Sequence, residues 1–372
     1  MPGRSLRMVL VHDWLTGMRG GEKCLEPACV RWPDATLLTM LHKRGSVSKS
    51  IEALNPRTSV LGKLPAVYRF YRYLLPLMPW AAKWDVSPCD AVLSFSHCVA
   101  KAVQPPPGVP HISYCFTPMR YAWHMRESYF GPMKRLLLNP LLRRLRDWDK
   151  RTASRVTHFV AISNTIRDRI RECYDRDSVV IYPPVDTDFY TPCNVDREDF
   201  YLVVSALAPY KRFDLAIEAC TKLGRKLVVI GTGQNAAKLK ELAGTNVQFL
   251  GWQSDEVIRD HYRRAKALLF PAEEDFGIVP LEAQACGCPV IAFGRGGATE
   301  TIVPYTTGLF FHEQTVEAVV NAMELFEYNE LLFEPAACRR NAMPFNKERF
   351  ERELFGYVES VIGVNVAVRK AA

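Results

Sequence analysis

No run of about 18 or more apolar residues occurs in the chain, so nothing in it has the length of a membrane-crossing helix. The apolar stretch at residues 8–11 is too short for the core of a signal peptide, which leads to the expectation of a cytoplasmic protein. The 11 cysteines are an odd number and include no C-x-x-C pair. Most lie inside apolar runs, as Cys115 and Cys286 do, so they read as reduced core residues rather than as disulfides or metal ligands. There is no internal repeat and no low-complexity tract.

What is present is an ordinary globular composition, with 48% hydrophobic and 24% charged residues. At 372 residues the chain exceeds the size at which one hydrophobic core stops growing, so two packed domains are expected. The net charge of +8 is unevenly spread: residues 1–190 carry 28 Lys/Arg against 16 Asp/Glu, leaving 20 against 24 for the remainder. Within the basic half, residues 133–151 mix seven cations with leucines and a Trp, and residues 68–84 mix aromatics with Arg and Lys. Two readings compete for both segments: surfaces lying on an anionic membrane, or amphipathic helices packed on their own domain with solvated basic faces. Nothing resembling a nucleic-acid module accompanies the charge, so no nucleic-acid partner is expected.

Short β-branched runs alternate with helical stretches at residues 8–12, 91–96, 111–116, 157–163 and 179–184. After a polar, proline-containing stretch at 186–199, the rhythm resumes at 200–207, 226–231, 247–251, 267–271 and 289–294. Two doubly wound parallel sheets follow from it. Residues 185–196 read as the linker, near Pro183, Pro184 and Pro192. A helical tail closes the chain, and its pattern does not say on which domain it packs.

In open parallel sheets ligands sit beyond the carboxyl ends of the strands, so the residues after each run are the candidates. After 202–207 come Lys211 and Arg212, two cations at the start of a helix, which suits an anion; a solvated pair is the competing reading. After 227–230 come Gly231, Gly233 and Ala236 in a G-x-G-x-x-A spacing, which makes an NAD-dependent oxidoreductase a rival. That rival requires an acidic residue at the end of the next strand, and the residues there are Gln248, Phe249, Leu250, Gly251 and Trp252. The glycines therefore support only a close backbone approach. After 267–271, Glu274 precedes Phe276, Gly277, Ile278, Val279 and Glu282. Eight helical steps would set Glu274 and Glu282 roughly 12 Å apart. Glycosidase carboxylate pairs need about 5 to 9.5 Å, so these two fit the gripping of opposite ends of a long ligand better than joint hydrolysis of one bond.

This segment, with Pro280, Leu281, Glu282 and Ala283 and the following Gly287, Cys288 and Pro289, resembles glycosyltransferase family 4, the retaining transferases with two Rossmann-like domains. The resemblance implies that Glu274 lies by the donor sugar, that the amides of Phe276 to Val279 cradle sugar and diphosphate, and that Glu282 bonds the ribose. Lys211 matches the family's phosphate-binding lysine, whereas Ala206 stands where the family has an arginine; Arg212 is the candidate to supply that charge. Gly20 and Gly21 match the glycine-rich loop that approaches the diphosphate, and Trp252 the wall for the nucleotide base. The N-terminal half resembles a bacterial subgroup of polysaccharide and O-antigen mannosyltransferases through His12, Asp13, Trp14, Leu15, Thr16 and Gly17 and through residues 117–123. Phe116 occupies the place of a family histidine beside the donor sugar, which His97 or His124 could fill only if the fold brings them close.

The expectation is thus an α/β chain of two Rossmann-like doubly wound domains facing a central cleft (GT-B type). An acceptor-binding domain spans residues 1–184 and a donor-binding domain 185–346, with a C-terminal helix at about 347–372. Glu274 and Lys211 are the catalytic candidates. Gly20, Gly21, Arg212, Gly231, Trp252, Phe276, Gly277, Ile278, Val279 and Glu282 are the donor-binding ones. No cofactor and no metal are expected, because cations and helix N-termini hold the leaving diphosphate, and Asp186 with Asp188 reads as linker rather than as a metal-binding D-x-D. The resemblance implies transfer of a hexose, by preference mannose from GDP-mannose, to a glycan or polyprenyl-diphosphate-linked acceptor in polysaccharide or lipopolysaccharide synthesis. Contact with the inner face of the cytoplasmic membrane is part of that expectation. A non-catalytic sugar-nucleotide-binding paralogue is the alternative in a different class.

Overall fold

A computed structural model describes residues 6–120, 122–123 and 132–371. The chain divides into two compact units, the first made of Met1–Pro183 with Phe350–Ala372 and the second of Pro184–Arg349. In the first unit, seven strands form one sheet: β1 (Met8–His12), β2 (Thr36–Thr39), β3 (Arg57–Thr58), β4 (Ala91–Ser96), β5 (His111–Cys115), β6 (His158–Ala161) and β7 (Ser178–Val180). Their order is β3-β2-β1-β4-β5-β6-β7, and every pairing is parallel. All residues of β1, β4 and β5 are buried, which is how strands read when helices cover both faces of a parallel sheet.

The second unit repeats the plan with six strands: β8 (Tyr201–Val204), β9 (Leu227–Ile230), β10 (Val247–Gly251), β11 (Ala267–Phe270), β12 (Val290–Phe293) and β13 (Gly308–Phe311). They run in the order β10-β9-β8-β11-β12-β13, again all parallel. Tyr201, Val203, Leu269 and Ile291 of this sheet share a core with Phe213, Ile217 and Phe326 of the covering helices. The two doubly wound sheets expected from the alternating runs are thus present. The strands β2, β3 and β13 are additions to that list.

The final helix, Lys347–Ala371, belongs to the first unit from Phe350 onward. Phe350 packs edge-on against Tyr114 and Phe355 against Trp32, with an Arg31–Glu359 ion pair at 2.7 Å outside them. Residues 60–81 form three short 3-10 turns followed by one α-turn, because Pro65, Pro76 and Pro79 interrupt the longer hydrogen-bonding register. Val67, Tyr71, Met78 and Ala81 point into a satellite core, and Tyr68, Phe70, Tyr73, Leu77 and Trp80 point outward. In the helix Pro132–Ala153, Leu142 and Leu145 meet the same core, whereas Arg143, Arg144, Lys150 and Arg151 face solvent. That helix therefore has the packed apolar face and solvated basic face of one of the two readings of the charge.

A buried ion pair fixes the inner side of this helix. Lys101 Nζ lies 2.8 Å from Asp149 Oδ1 and donates to the Asp149 carbonyl and to Thr152 Oγ1. Trp123 Nε1 and the Tyr174 hydroxyl both donate to Asp149 Oδ2, at 2.9 and 2.7 Å. Removing one partner from so dry a pair leaves the other charge uncompensated. Lys101→Met is expected to destabilise the chain by about 3 to 5 kcal/mol, read as a lowered denaturation midpoint in urea. An unchanged midpoint would show that the pair is not needed to hold the helix.

Candidate functional site

In the second unit β8 sits between β9 and β11, so the connection that leaves β8 towards β9 and the one that leaves β11 towards β12 diverge and open a crevice past the carboxyl ends of these two strands. The segment after β8 turns through the 3-10 helix Pro209–Lys211 into the helix Phe213–Leu223. The segment after β11 carries Glu274. Here the fold brings together the two catalytic candidates, for Lys211 Nζ forms an ion pair with Glu274 Oε1, both side chains being mostly buried.

Backbone contacts set this geometry. The Gly297 N–H donates to the Glu274 carbonyl at 2.8 Å, and Glu274 and Gly296 form an isolated parallel bridge. A Cβ on Gly297 would lie 2.2 Å from the Phe276 Cα, and one on Gly296 would lie 2.4 Å from the Glu274 carbonyl oxygen. Only glycines fit at these two positions, which reading the sequence strand by strand had missed. The signal available was the Gly294, Gly296, Gly297 cluster directly after a strand.

Gly277 adopts φ 86°, the left-handed region that favours glycine, and caps the helix Ile278–Ala285. The amides of Gly277, Ile278 and Val279 thus lie at a helix N-terminus, where the dipole favours an anion. The Phe276 ring is turned inward against Phe345, so this residue offers its backbone. Glu282 lies within the same helix, buried, and takes a long 3.5 Å hydrogen bond from the hydroxyl of fully buried Tyr262. Burial raises the Tyr262 phenol well above its ordinary pKa and keeps it a donor. Trp252 follows β10 directly and is 76% exposed, a bare aromatic face at a strand end.

Two candidates have partners of their own. Arg212, with φ 53°, folds its guanidinium onto Asp214 through bonds of 3.0 to 3.3 Å, so its charge is matched within its own turn. Gly231 has φ 137°, and a Cβ there would meet the Ser205 carbonyl oxygen at 1.8 Å; at Gly233 it would meet the Leu207 carbonyl oxygen at 2.3 Å. These glycines let the loop after β9 lie against the loop that carries Lys211, stitched by Leu207 N–H to Thr232 and Asn235 N–H to Leu207. Asp186 accepts from the Phe189 amide within its own turn and pairs with Lys347 at the start of the final helix. Among the described residues no group of three or more His, Cys, Asp or Glu side chains is placed to hold a metal ion.

In the first unit the corresponding divergence lies between β1 and β4. Gly20 and Gly21 open the helix Gly20–Arg31 there, and a Cβ on Gly21 would come within 3.2 Å of His12 Nε2 and 3.4 Å of the Phe116 ring. Asp13, fully buried at the end of β1, accepts four backbone N–H bonds, from His97 and Cys98 on one oxygen and Val99 and Ala100 on the other, at 2.6 to 3.0 Å. His97 Nδ1 stands 2.8 Å from the same carboxylate. The His97 ring centroid is 6.4 Å from that of Phe116, so the fold brings this histidine beside the phenylalanine. His124 and Tyr121 lie outside the described residues.

Fold and site define a two-domain protein of the GT-B class, with each domain Rossmann-like. Residues 34–189 match the model of Glycosyltransferase Family 4, and residues 192–343 that of Glycosyl transferases group 1. The chain belongs to the family 4 glycosyltransferases. Curated relatives include an uncharacterized glycosyltransferase of Methanocaldococcus jannaschii, 26% identical over 55% of this chain and 57% of that protein. Another is a GDP-mannose-dependent alpha-(1-6)-phosphatidylinositol monomannoside mannosyltransferase of Mycobacterium tuberculosis, 29% identical over 44% of this chain and 50% of that protein. The chain spans about half the length of these curated relatives. Among solved structures, HepE of Anabaena in complex with UDP is similar with a TM-score of 0.70 at 15% identity, covering 95% of this chain and all of that one. Sucrose-phosphate synthase of Thermosynechococcus elongatus gives 0.73 at 16%, over 96% of this chain and all of that one.

The Asp13 geometry carries a pH dependence. Burial alone would raise this carboxyl, but the charge of His97 and hydrogen bonds from its ring and backbone outweigh it and hold the group at about 2, below its ordinary 3.8. A depressed carboxylate stabilises the folded chain fully above the ordinary value, and that stabilisation fades as the pH falls through the folded one. Its loss between about pH 4 and pH 2 is expected to cost on the order of 2 kcal/mol. Acid titration of the unfolding free energy measures it, and Asp13→Asn should flatten that part of the curve.

Proposed function

We propose that the chain is a retaining glycosyltransferase that moves a hexose from a nucleotide diphosphate sugar to a glycan or a polyprenyl-diphosphate-linked acceptor, in the synthesis of a cell-surface polysaccharide. The observation that carries this reading is the Lys211–Glu274 pair set where β8 and β11 diverge, beside the N-terminus of the helix that bears Glu282. In this reading Lys211 and the Gly277 to Val279 amides neutralise the departing diphosphate, Glu274 bonds hydroxyls of the transferred sugar, and Glu282 and Trp252 hold ribose and base. Gly20 and Gly21, at the N-terminus of the helix Gly20–Arg31, are further candidates for binding a diphosphate. With no second carboxylate on the same bond, the acceptor hydroxyl attacks from the leaving-group face and passes its proton to a diphosphate oxygen, with charge stabilisation contributing most of the rate. The reaction as proposed uses neither a metal nor a cofactor. GDP-mannose is the favoured donor because the mycobacterial relative named above depends on it.

A thermal-shift panel of GDP-mannose, UDP-glucose, UDP-galactose and NAD tests the donor. The true donor at 100 times its dissociation constant stabilises the folded chain by about 2.7 kcal/mol. Stabilisation by NAD alone would overturn the reading. Glu274→Gln is expected to lower turnover of that donor by about 100-fold or more while the free nucleoside diphosphate stays bound at least as tightly as before. Full turnover in this variant would remove Glu274 from the site.

The same proposal places the chain on the inner face of the cytoplasmic membrane. No described helix is long and apolar enough to cross one. What supports peripheral contact is the outward row on residues 60–81, where Tyr73 is 85% and Trp80 62% exposed among the exposed Lys63, Arg69 and Lys83. Sedimentation with phosphatidylglycerol vesicles should pull down the chain, with weaker binding in higher salt and to pure phosphatidylcholine. Tyr73→Ser with Trp80→Ser should abolish it, and equal binding of wild type and variant would exclude this surface.

A further inference from the structure

We propose that His97, oriented by Asp13, is a substrate-positioning residue whose Nε2 accepts a hydrogen bond from the acceptor hydroxyl. The inference rests on the transferase reading above and adds to it a residue of the first unit. Three observations carry it. His97 directly follows β4 at the point where the connections of β1 and β4 diverge, the part of a doubly wound sheet where ligands bind. Its ring is fixed: Asp13 Oδ2 lies 2.8 Å from Nδ1, the Trp14 ring meets it edge-on at 4.4 Å, and Phe116 closes a further side. Asp13 is itself immobile, since it takes four backbone N–H bonds and is fully buried.

A carboxylate so placed requires a proton on Nδ1, which leaves the lone pair of the neutral ring on Nε2. The side chain is 28% exposed, so the ring end away from Asp13 is open to a ligand. The neighbouring His12 is different in kind. Its Nδ1 lies 3.1 Å from the Trp14 carbonyl, burial depresses its pKa, and its Nε2 is enclosed beneath Gly21. Of the two imidazoles, His97 is the one that can reach a substrate. A hydrogen-bond acceptor that holds a hydroxyl in one direction accelerates transfer by orienting the nucleophile, and it leaves the final proton to the diphosphate oxygen.

The test uses the full chain and His97→Asn, whose side-chain amide can keep the bond to Asp13 but lacks the distal nitrogen. The donor is whichever nucleotide sugar stabilises the wild type, and the acceptor probes are octyl α-mannoside and octyl α-glucoside. The substitution is expected to lower kcat/KM for the glycoside about 100-fold. Hydrolysis of the donor by water and binding of the free nucleoside diphosphate should stay within about twofold, which a general loss of structure would not allow. Equal loss in transfer and hydrolysis, or no loss of transfer, overturns the proposal. If the variant does not fold or the wild type does not glycosylate the probes, nitrogen NMR of the wild-type imidazoles decides. Octyl glycoside must then shift Nε2 of His97 while Nδ1 stays protonated, and an unmoved signal overturns the assignment. A wild type that neither binds nor consumes any nucleotide sugar fails at the earlier step and removes the transferase reading itself.

Discussion

Past the carboxyl ends of the second unit's sheet, backbone lies against backbone with no room for a side chain between. Gly231 against Ser205, Gly233 against Leu207, Gly296 against Glu274 and Gly297 against Phe276 are four such approaches, and a methyl group at any of them would sit 1.8 to 2.4 Å from its neighbour. They lock the loop after β9 to the loop after β8, and the loop after β12 to the loop after β11. The Lys211–Glu274 pair spans the two: the loop after β8 is held by the loop after β9, the loop after β11 by the loop after β12, and their side chains meet because β8 and β11 are neighbouring strands. Loops at the carboxyl ends of a parallel sheet are usually the mobile part of the fold. Here they are stitched in pairs into a platform, the preorganisation that the proposed charge stabilisation of a leaving group would require.

Charge is buried in two ways in the first unit. Lys101 and Asp149 neutralise one another and share donors from Trp123 and Tyr174. Asp13 is instead held by four backbone amide dipoles together with the His97 imidazole. The first arrangement braces a helix against the sheet. The second ties the end of β1 to the turn after β4 and leaves one ring nitrogen pointing away from the carboxylate.

Much of the fold was legible because a parallel sheet covered on both faces writes its strands as continuous apolar runs, as at Met8–His12, Ala91–Ser96 and Ala267–Phe270. The missed strands explain themselves. β3 is two residues long, with an exposed Arg57, and β2 and β13 are four-residue runs bordered by threonines or glycine, short enough to pass for loop. The aromatic segment at 68–84 reads as an amphipathic helix by composition, and its prolines turn it into 3-10 turns instead. For the site, the residue types after each strand were legible but their partners were not. The bidentate Arg212–Asp214 contact could have been suspected from a spacing of two. The approach of Gly297 to Phe276, and of Tyr262 to Glu282, depends on loops and helices meeting in three dimensions, which no local pattern records.

The pairing of Lys211 with Glu274 has a kinetic side. An ammonium group that already has a carboxylate partner does not attract phosphate with its full charge; it must exchange one anion for another. In the proposed reaction this limits how tightly the nucleoside diphosphate can be held once the sugar has gone. Glu274, no longer occupied by sugar hydroxyls, competes for the lysine and helps displace the product. The enzyme would thus give up affinity for its donor in return for a rapid reset, a site that empties itself after each turnover.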